Sequence, residues 1–204
     1  MTDLSPTELV TRAREVVMQE ASAVEALADQ FDQRLAAVLE TLLSCSGHIL
    51  VTGAGTSHAV ALRLAHLLAC VGMPALYISA ADGLHGGSGA VTGRDLVYVI
   101  SKGGRSEEVN QFVRIARDRG ATVIAQTETA DSPLAGVSDL VYGVRTVGEV
   151  DPYGMVATGS SLVNCAAADV LCVLLLEASG YSREDFGATH PGGAVGDRLA
   201  EGDN

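Results

Sequence analysis

Ile49-Leu50-Val51-Thr52-Gly53-Ala54-Gly55-Thr56-Ser57 decides the fold. A short run of aliphatic and β-branched residues (49–52) meets a Gly-x-Gly turn, and a helical pattern follows over 57–70. The same order returns after the run 96–100. There Ser101-Lys102-Gly103-Gly104-Arg105-Ser106 leads into a helical pattern over 106–119. Further strand-like runs lie at 75–79, 122–126 and 140–144, with a short turn near 132–137. A long apolar helix over 158–179 closes the series and stops at Gly180. Continuous apolar strands separated by helices predict a parallel sheet covered on both faces. Right-handed crossovers then give an α/β, three-layer, doubly wound sandwich with a five-stranded parallel sheet.

Upstream of the sheet, Ser5-Pro6-Thr7-Glu8 is a capping-box pattern with proline at the first helical position. Apolar residues from Leu9 to Ala28 recur at helical spacing, and a second periodic stretch covers about 31–43. Residues 1–46 therefore form a helical arm, which needs an apolar surface to cover on its own domain or on a second subunit. The chain reads as one domain, 1–204, with the sheet core and a C-terminal site segment in 47–196.

The chain has 204 residues, and its 48% hydrophobic content excludes a disordered chain. No uninterrupted apolar run reaches the ~18 residues of a membrane span, and the N-terminus lacks a signal pattern. The expectation is a soluble, cytoplasmic protein with no membrane partner. Cys45, Cys70, Cys165 and Cys172 show no C-x-x-C pairing and read as buried free thiols of a reducing compartment. A net charge of −12 argues against nucleic acid as a partner, and the lack of tryptophan argues against a base-stacking platform. A local positive pocket for a phosphorylated metabolite remains compatible with that charge, because screening weakens the far field.

A strand–turn–helix junction aims free N–H groups and the positive helix end at an anion. Ser57, Ser101 and Ser106 would add hydroxyl donors. A dinucleotide fingerprint would need a third glycine where His58 stands, and there is no G-x-x-x-x-G-K-[ST] loop. The glycines could instead serve only tight turns and the serines only helix caps. Two such turns at strand ends of one sheet favour the phosphate site. His48 and His66 read as core or surface histidines, and His58 stands close enough to the first turn to approach a ligand.

These turns, with Glu149-Val150-Asp151-Pro152-Tyr153-Gly154 and Thr158-Gly159-Ser160-Ser161, resemble the sugar isomerase (SIS) domain. Tyr181-Ser182-Arg183-Glu184-Asp185-Phe186 and His190-Pro191-Gly192-Gly193-Ala194-Val195-Gly196 narrow the likeness to the arabinose-5-phosphate isomerase branch, here without the CBS modules many members carry. The resemblance implies interconversion of an aldose phosphate and a ketose phosphate through an enediol, without metal or organic cofactor. That chemistry needs a base to move a proton between C1 and C2 and a second group to serve the neighbouring oxygens. Glu149 occupies the place of a family catalytic glutamate, its pKa expected to rise towards neutrality on burial. His190 matches a family catalytic histidine that opens the ring or shuttles protons, although a histidine before proline, read alone, would be structural. His85 matches a third family histidine that reaches an adjacent subunit's site, or is a polar loop residue. Gly55, Thr56, Ser57, Ser101, Gly103, Arg105, Ser106 and Thr158 would bind the phosphate and sugar hydroxyls. A homodimer or homotetramer with shared active sites is implied.

The chain departs from the branch in three places. Thr56 stands where the branch has lysine, Arg105 where it has glutamate, and Gly103 where it has a phosphate-contacting serine. Arg105 is the candidate to take over anion binding, with a bidentate grip suited to phosphate. The alternative reading is a sugar-phosphate-binding sensor without catalysis. The survival of both Glu149 and His190 favours the enzyme.

Overall fold

The computed structural model describes residues 4–146, 148–192 and 196. Its strands are β1 (Ile49–Gly53), β2 (Ala75–Tyr77), β3 (Leu96–Ile100), β4 (Thr122–Thr127) and β5 (Leu140–Gly143), all parallel, in the order β2-β1-β3-β4-β5. Ile49 stands opposite Leu96, and Leu96 opposite Thr122. The helices are α1 (Pro6–Glu25), α2 (Arg34–Leu43), α3 (Thr56–Cys70), α4 (Ala80–Leu84), α5 (Glu107–Asp118), α6 (Thr158–Ser179) and α7 (Arg183–Thr189).

β1 and β3 are buried along their whole length because the two-residue period of a strand feeds two cores at once. Ile49, Val51, Leu96, Tyr98 and Ile100 point into a core shared with α1, α2, α3 and α6. Leu50, Val97 and Val99 point into the opposite core, with α5 and Ala80. In α5 the buried residues include Val109, Phe112, Val113 and Ala116, one apolar stripe at helical spacing. The three-layer reading of the sequence is thus the fold observed.

Several expectations shift in detail. β2 stops at Tyr77 instead of reaching 79, because the Ser79 hydroxyl accepts a hydrogen bond from the Asp82 N–H at 3.2 Å and starts α4. α3 begins one residue early, on Gly55 rather than on a serine cap. The arm is two helices, broken between Glu25 and Arg34. Leu27, Val38 and Leu42 are buried on the domain, while Val10, Val17 and Met18 of α1 face outward, Met18 70% exposed. All four cysteines are free, but only Cys172 is fully buried. α6 is long and apolar enough by composition to span a membrane, and half of that stretch is buried inside the domain. Its other face leaves Leu162, Val173 and Leu176 exposed.

Candidate active site

The strand order reverses between β1 and β3, and their following helices pack on opposite faces of the sheet. The two crossovers part there, leaving a crevice beyond the carboxyl ends of the strands. Both serine-bearing turns lie in it. Gly55 caps α3 with φ +57°, where an added Cβ would meet nothing, so the glycine is needed for its backbone alone. Gly104 has φ +62°, and its Cβ would fall 2.5 Å from the Ser132 Cβ. The Gly104 carbonyl accepts from the Leu134 N–H at 3.1 Å and from Asn110 Nδ2 at 3.2 Å, which fixes the second turn against α5.

Gly104→Ala is therefore expected to destabilise the fold by roughly 1–3 kcal/mol. Gly103 has no such constraint: it is exposed and faces open space. Gly103→Ser should change stability by less than about 0.5 kcal/mol. Urea unfolding of both variants checks the pair; equal stability of Gly104→Ala and the wild type would contradict it.

The serines are not ordinary caps. Ser106 is the N-cap of α5 without a side-chain cap bond, and Ser57 lies inside the first turn of α3. Among the described residues, the hydroxyls of Thr56, Ser57, Ser101 and Ser106 make no hydrogen bond. The helix starts beside them carry first-turn N–H groups without intrahelical partners. Hydroxyls and N–H groups together form a neutral, donor-rich rim.

Thr56, Ser57, Lys102, Ser160, Ser161 and Asn164 line a cleft of about 50 Å³ between the starts of α3 and α6. Beside it, Lys102 Nζ donates to Glu149 Oε1 at 2.8 Å, and the Ser160 N–H donates to Glu149 Oε2 at 3.1 Å. The Glu149 side chain is 6% exposed and that of Lys102 40%. Burial works to raise the Glu149 pKa, but the hydrogen bonds from Lys102 and Ser160 outweigh it and hold the carboxyl below its ordinary value. The expected rise towards neutrality is thus reversed, because burial here comes with an ammonium and a helix start. Glu149 also borders an open cavity of about 570 Å³ lined by Met18, Gln19 and Ser22 of α1.

A buried polar chain supports this end of α6. Tyr98 Oη donates to Gln126 Oε1 at 2.7 Å, and Gln126 Nε2 donates to Asn164 Oδ1 at 2.7 Å. Asn164 Nδ2 then donates to the Ser160 carbonyl at 2.8 Å. Each amide atom in the chain is paired, so the first turn of α6 is fixed to β3 and β4 at low cost. The loop bearing Glu149 is held from the arm: Gln30 exchanges hydrogen bonds with the Arg145 backbone, and Arg12 Nη2 donates to the Val150 carbonyl at 2.8 Å.

The remaining expected site residues lie elsewhere or at the margin. Arg105 is exposed and makes no ion pair among the described residues. The Thr158 hydroxyl is buried without a hydrogen-bond partner in the first turn of α6. His85 is exposed at the end of α4. His190 follows α7, stacks on Phe186 at 3.9 Å and directs Nδ1 to the Phe186 carbonyl and Thr189, all within its own segment. Tyr181, which precedes that segment, packs against Gly72 beyond the far end of α3. Neither histidine is brought to Glu149 by a contact within the described residues. Gly193, Ala194 and Val195 of the expected His-Pro-Gly-Gly stretch lie outside the described residues. His58 Nδ1 meets Tyr77 Oη at 2.7 Å on the other side of the first turn; His48 and His66 are surface residues.

Reading the sequence missed Lys102, Ser160, Asn164, Gln126 and Tyr98. Lys102 stood in view inside the second turn, and the cation absent at Thr56 enters the same cleft from there. The start of α7 also had a signal, Ser182 with Asp185 three residues on, which forms a capping box.

Residues 42–174 match the SIS domain family. Arabinose 5-phosphate isomerase KpsF of Escherichia coli is 30% identical over 192 residues, which is 94% of this chain and 59% of that protein. KdsD of Pseudomonas aeruginosa, also an arabinose 5-phosphate isomerase, is 31% identical over the same shares. The chain therefore spans about three-fifths (59%) of the length of these curated relatives. Among solved structures, a protein of E. coli CFT073 in complex with a sugar phosphate superposes with a TM-score of 0.89 at 29% identity, covering 92% of this chain and 100% of that one. Since the family match takes in more than half of its length, this chain belongs to the SIS domain family.

Proposed function

We propose that this protein is an aldose–ketose isomerase of a sugar phosphate, working through an enediol, with arabinose 5-phosphate as the foremost substrate. One observation carries the reading: a nearly buried carboxylate, Glu149, is held by Lys102 and Ser160, two residues that line a cleft shared with the unengaged hydroxyls of Thr56 and Ser57 at two helix starts. Such a site binds a polyhydroxylated anion and sets a base beside it. The names of the relatives support the same substrate class.

In this reading the phosphate rests on the second turn, taking hydroxyls from Ser101 and Ser106 and backbone N–H groups around Gly103. Arg105 closes on it from solvent. Gly55, Thr56 and Ser57 face the sugar, and the unpaired Thr158 hydroxyl finds its partner on a sugar oxygen. Glu149 carries the proton between C2 and C1. His85 and His190 act on the cleft of a neighbouring copy, since neither contacts Glu149 among the described residues of its own chain. The exposed apolar residues of α1 and α6 are the surface through which copies assemble as a dimer or tetramer. Free thiols suit a cytoplasmic enzyme.

Incubation of the wild type with pentose and hexose phosphates in deuterated water tests the proposal. Solvent deuterium should enter C2 of arabinose 5-phosphate, followed by NMR, with the ketose phosphate accumulating. Binding without exchange across the panel would make the protein a sugar-phosphate sensor and end the isomerase reading.

A further inference from the structure

We infer that Lys102 is a catalytic residue of this site, supplying the proton and positive charge that the sugar oxygens require during the enediol step. The inference rests on the isomerase reading and assigns its second participant. Any C–H that Glu149 deprotonates must lie within hydrogen-bond reach of its carboxylate, roughly 3 Å. Lys102 Nζ already lies 2.8 Å from that carboxylate. An ammonium so placed stands beside the oxygens on the reacting carbons, and is too close to the base to serve a phosphate several bonds away. Its stem enters from the second turn, whose backbone is fixed through Gly104 to α5 and residue 134. Among the described residues of a single chain no histidine makes contact with Glu149.

The step balances without another reactant. Glu149 takes the C2 proton, the C–H pair becomes the C1=C2 bond, and the carbonyl π pair moves to O1. There the Lys102 ammonium gives its proton, so no full negative charge builds on the oxygen. In the second half the neutral amine takes the proton of the C2 hydroxyl, the O–H pair forms the C2=O bond, and the C1=C2 pair takes the proton held on Glu149. Both residues end as they began. The two ions neutralise each other, and a sugar bound against both gives each a substrate atom.

The groups around Glu149 make the assignment measurable by pH. Lys102 faces it from the second turn and Ser160 from α6. From α1 the bordering residues are Met18, Gln19 and Ser22, and the nearby Arg12 is engaged with the Val150 carbonyl and Glu15. On its own loop Asp151 accepts from the backbone of Tyr153, Met155 and Val156. Lys102 is therefore the cation that holds Glu149 down, and its removal must move the acid limb of activity to higher pH.

Lys102→Met and Lys102→Ala are compared with the wild type on arabinose 5-phosphate. The expected result is a loss in kcat of about 10²–10³-fold, a KM within about fivefold, and an acid limb moved upward in Lys102→Met. Added methylammonium should restore exchange to Lys102→Ala in proportion to its concentration, which a merely structural lysine would not allow. Wild-type kcat in Lys102→Met, or a loss confined to KM, overturns the inference while leaving the isomerase reading intact. No amine rescue in a folded Lys102→Ala overturns it as well, and a wild type without exchange removes both.

Discussion

Glu149→Gln is expected to lower deuterium exchange at C2 by about 10²–10⁴-fold, the range that a positioned general base contributes. The amide keeps the volume of the carboxyl and can still accept from the Ser160 N–H, so the first turn of α6 retains its partner. What it cannot do is receive a proton from carbon. Its amino group would also face the Lys102 ammonium without attraction. Because the Lys102 side chain is 40% exposed, its charge can turn to water. The change in stability should thus stay within about 1 kcal/mol. The two readouts separate cleanly: NMR exchange collapses, while the thermal transition moves little. Exchange within threefold of wild type would remove Glu149 from the reaction.

The second large effect concerns assembly. Val173, 55% exposed on the outward face of α6, shares that face with Leu162 and Leu176. A carboxylate placed in an apolar interface loses solvation without finding a partner. Val173→Asp should therefore yield a monomer of native secondary structure, because the residue contributes little to its own chain's core. Activity at micromolar protein should fall at least about 100-fold, in line with the loss of two participating groups. The reason is positional: in the proposed assembly His85 and His190 serve the Glu149 of a second copy, since neither contacts Glu149 among the described residues of its own chain. Light scattering and the exchange assay on the same sample decide it: a monomer with full activity would mean that neither histidine serves another chain's cleft.

How legible this was in the sequence depended on distance along the chain. β1, β3 and α6 could be read almost to the residue, since continuous apolar runs and a Gly180 stop are local signals. α4 was missed because five residues carry no helical period, and what starts it is a single Ser79 cap. The serine-bearing turns were equally local, and Ser106 starts α5 without a side-chain cap bond. Lys102 and Glu149 lie 47 positions apart, and only the pairing of β3 with β4 and the return of α6 bring them together. The lysine missing at position 56 drew attention to Arg105, a cation of the second turn whose planar head suits phosphate. Side-chain reach chose Lys102 for the cleft. The Tyr98–Gln126–Asn164 chain had no linear signature, because its members come from β3, β4 and α6 and each would pass for a tolerated polar residue in an apolar run.

The clasp between the arm and the loop of Glu149 gives the molecule something like a clutch. Gln30 and Arg12 grip the backbone at Arg145 and Val150, yet only Ala23 of α1 is buried. An element with so little of its surface buried is expected to open before the sheet does, which hydrogen exchange along α1 would show. Lifting it would free the backbone at Arg145 and Val150, while Lys102 and Ser160 would still hold the Glu149 carboxylate. In the isomerase reading, the elements that would hold the sugar and the element that steadies the loop of the base are thus different parts of the fold.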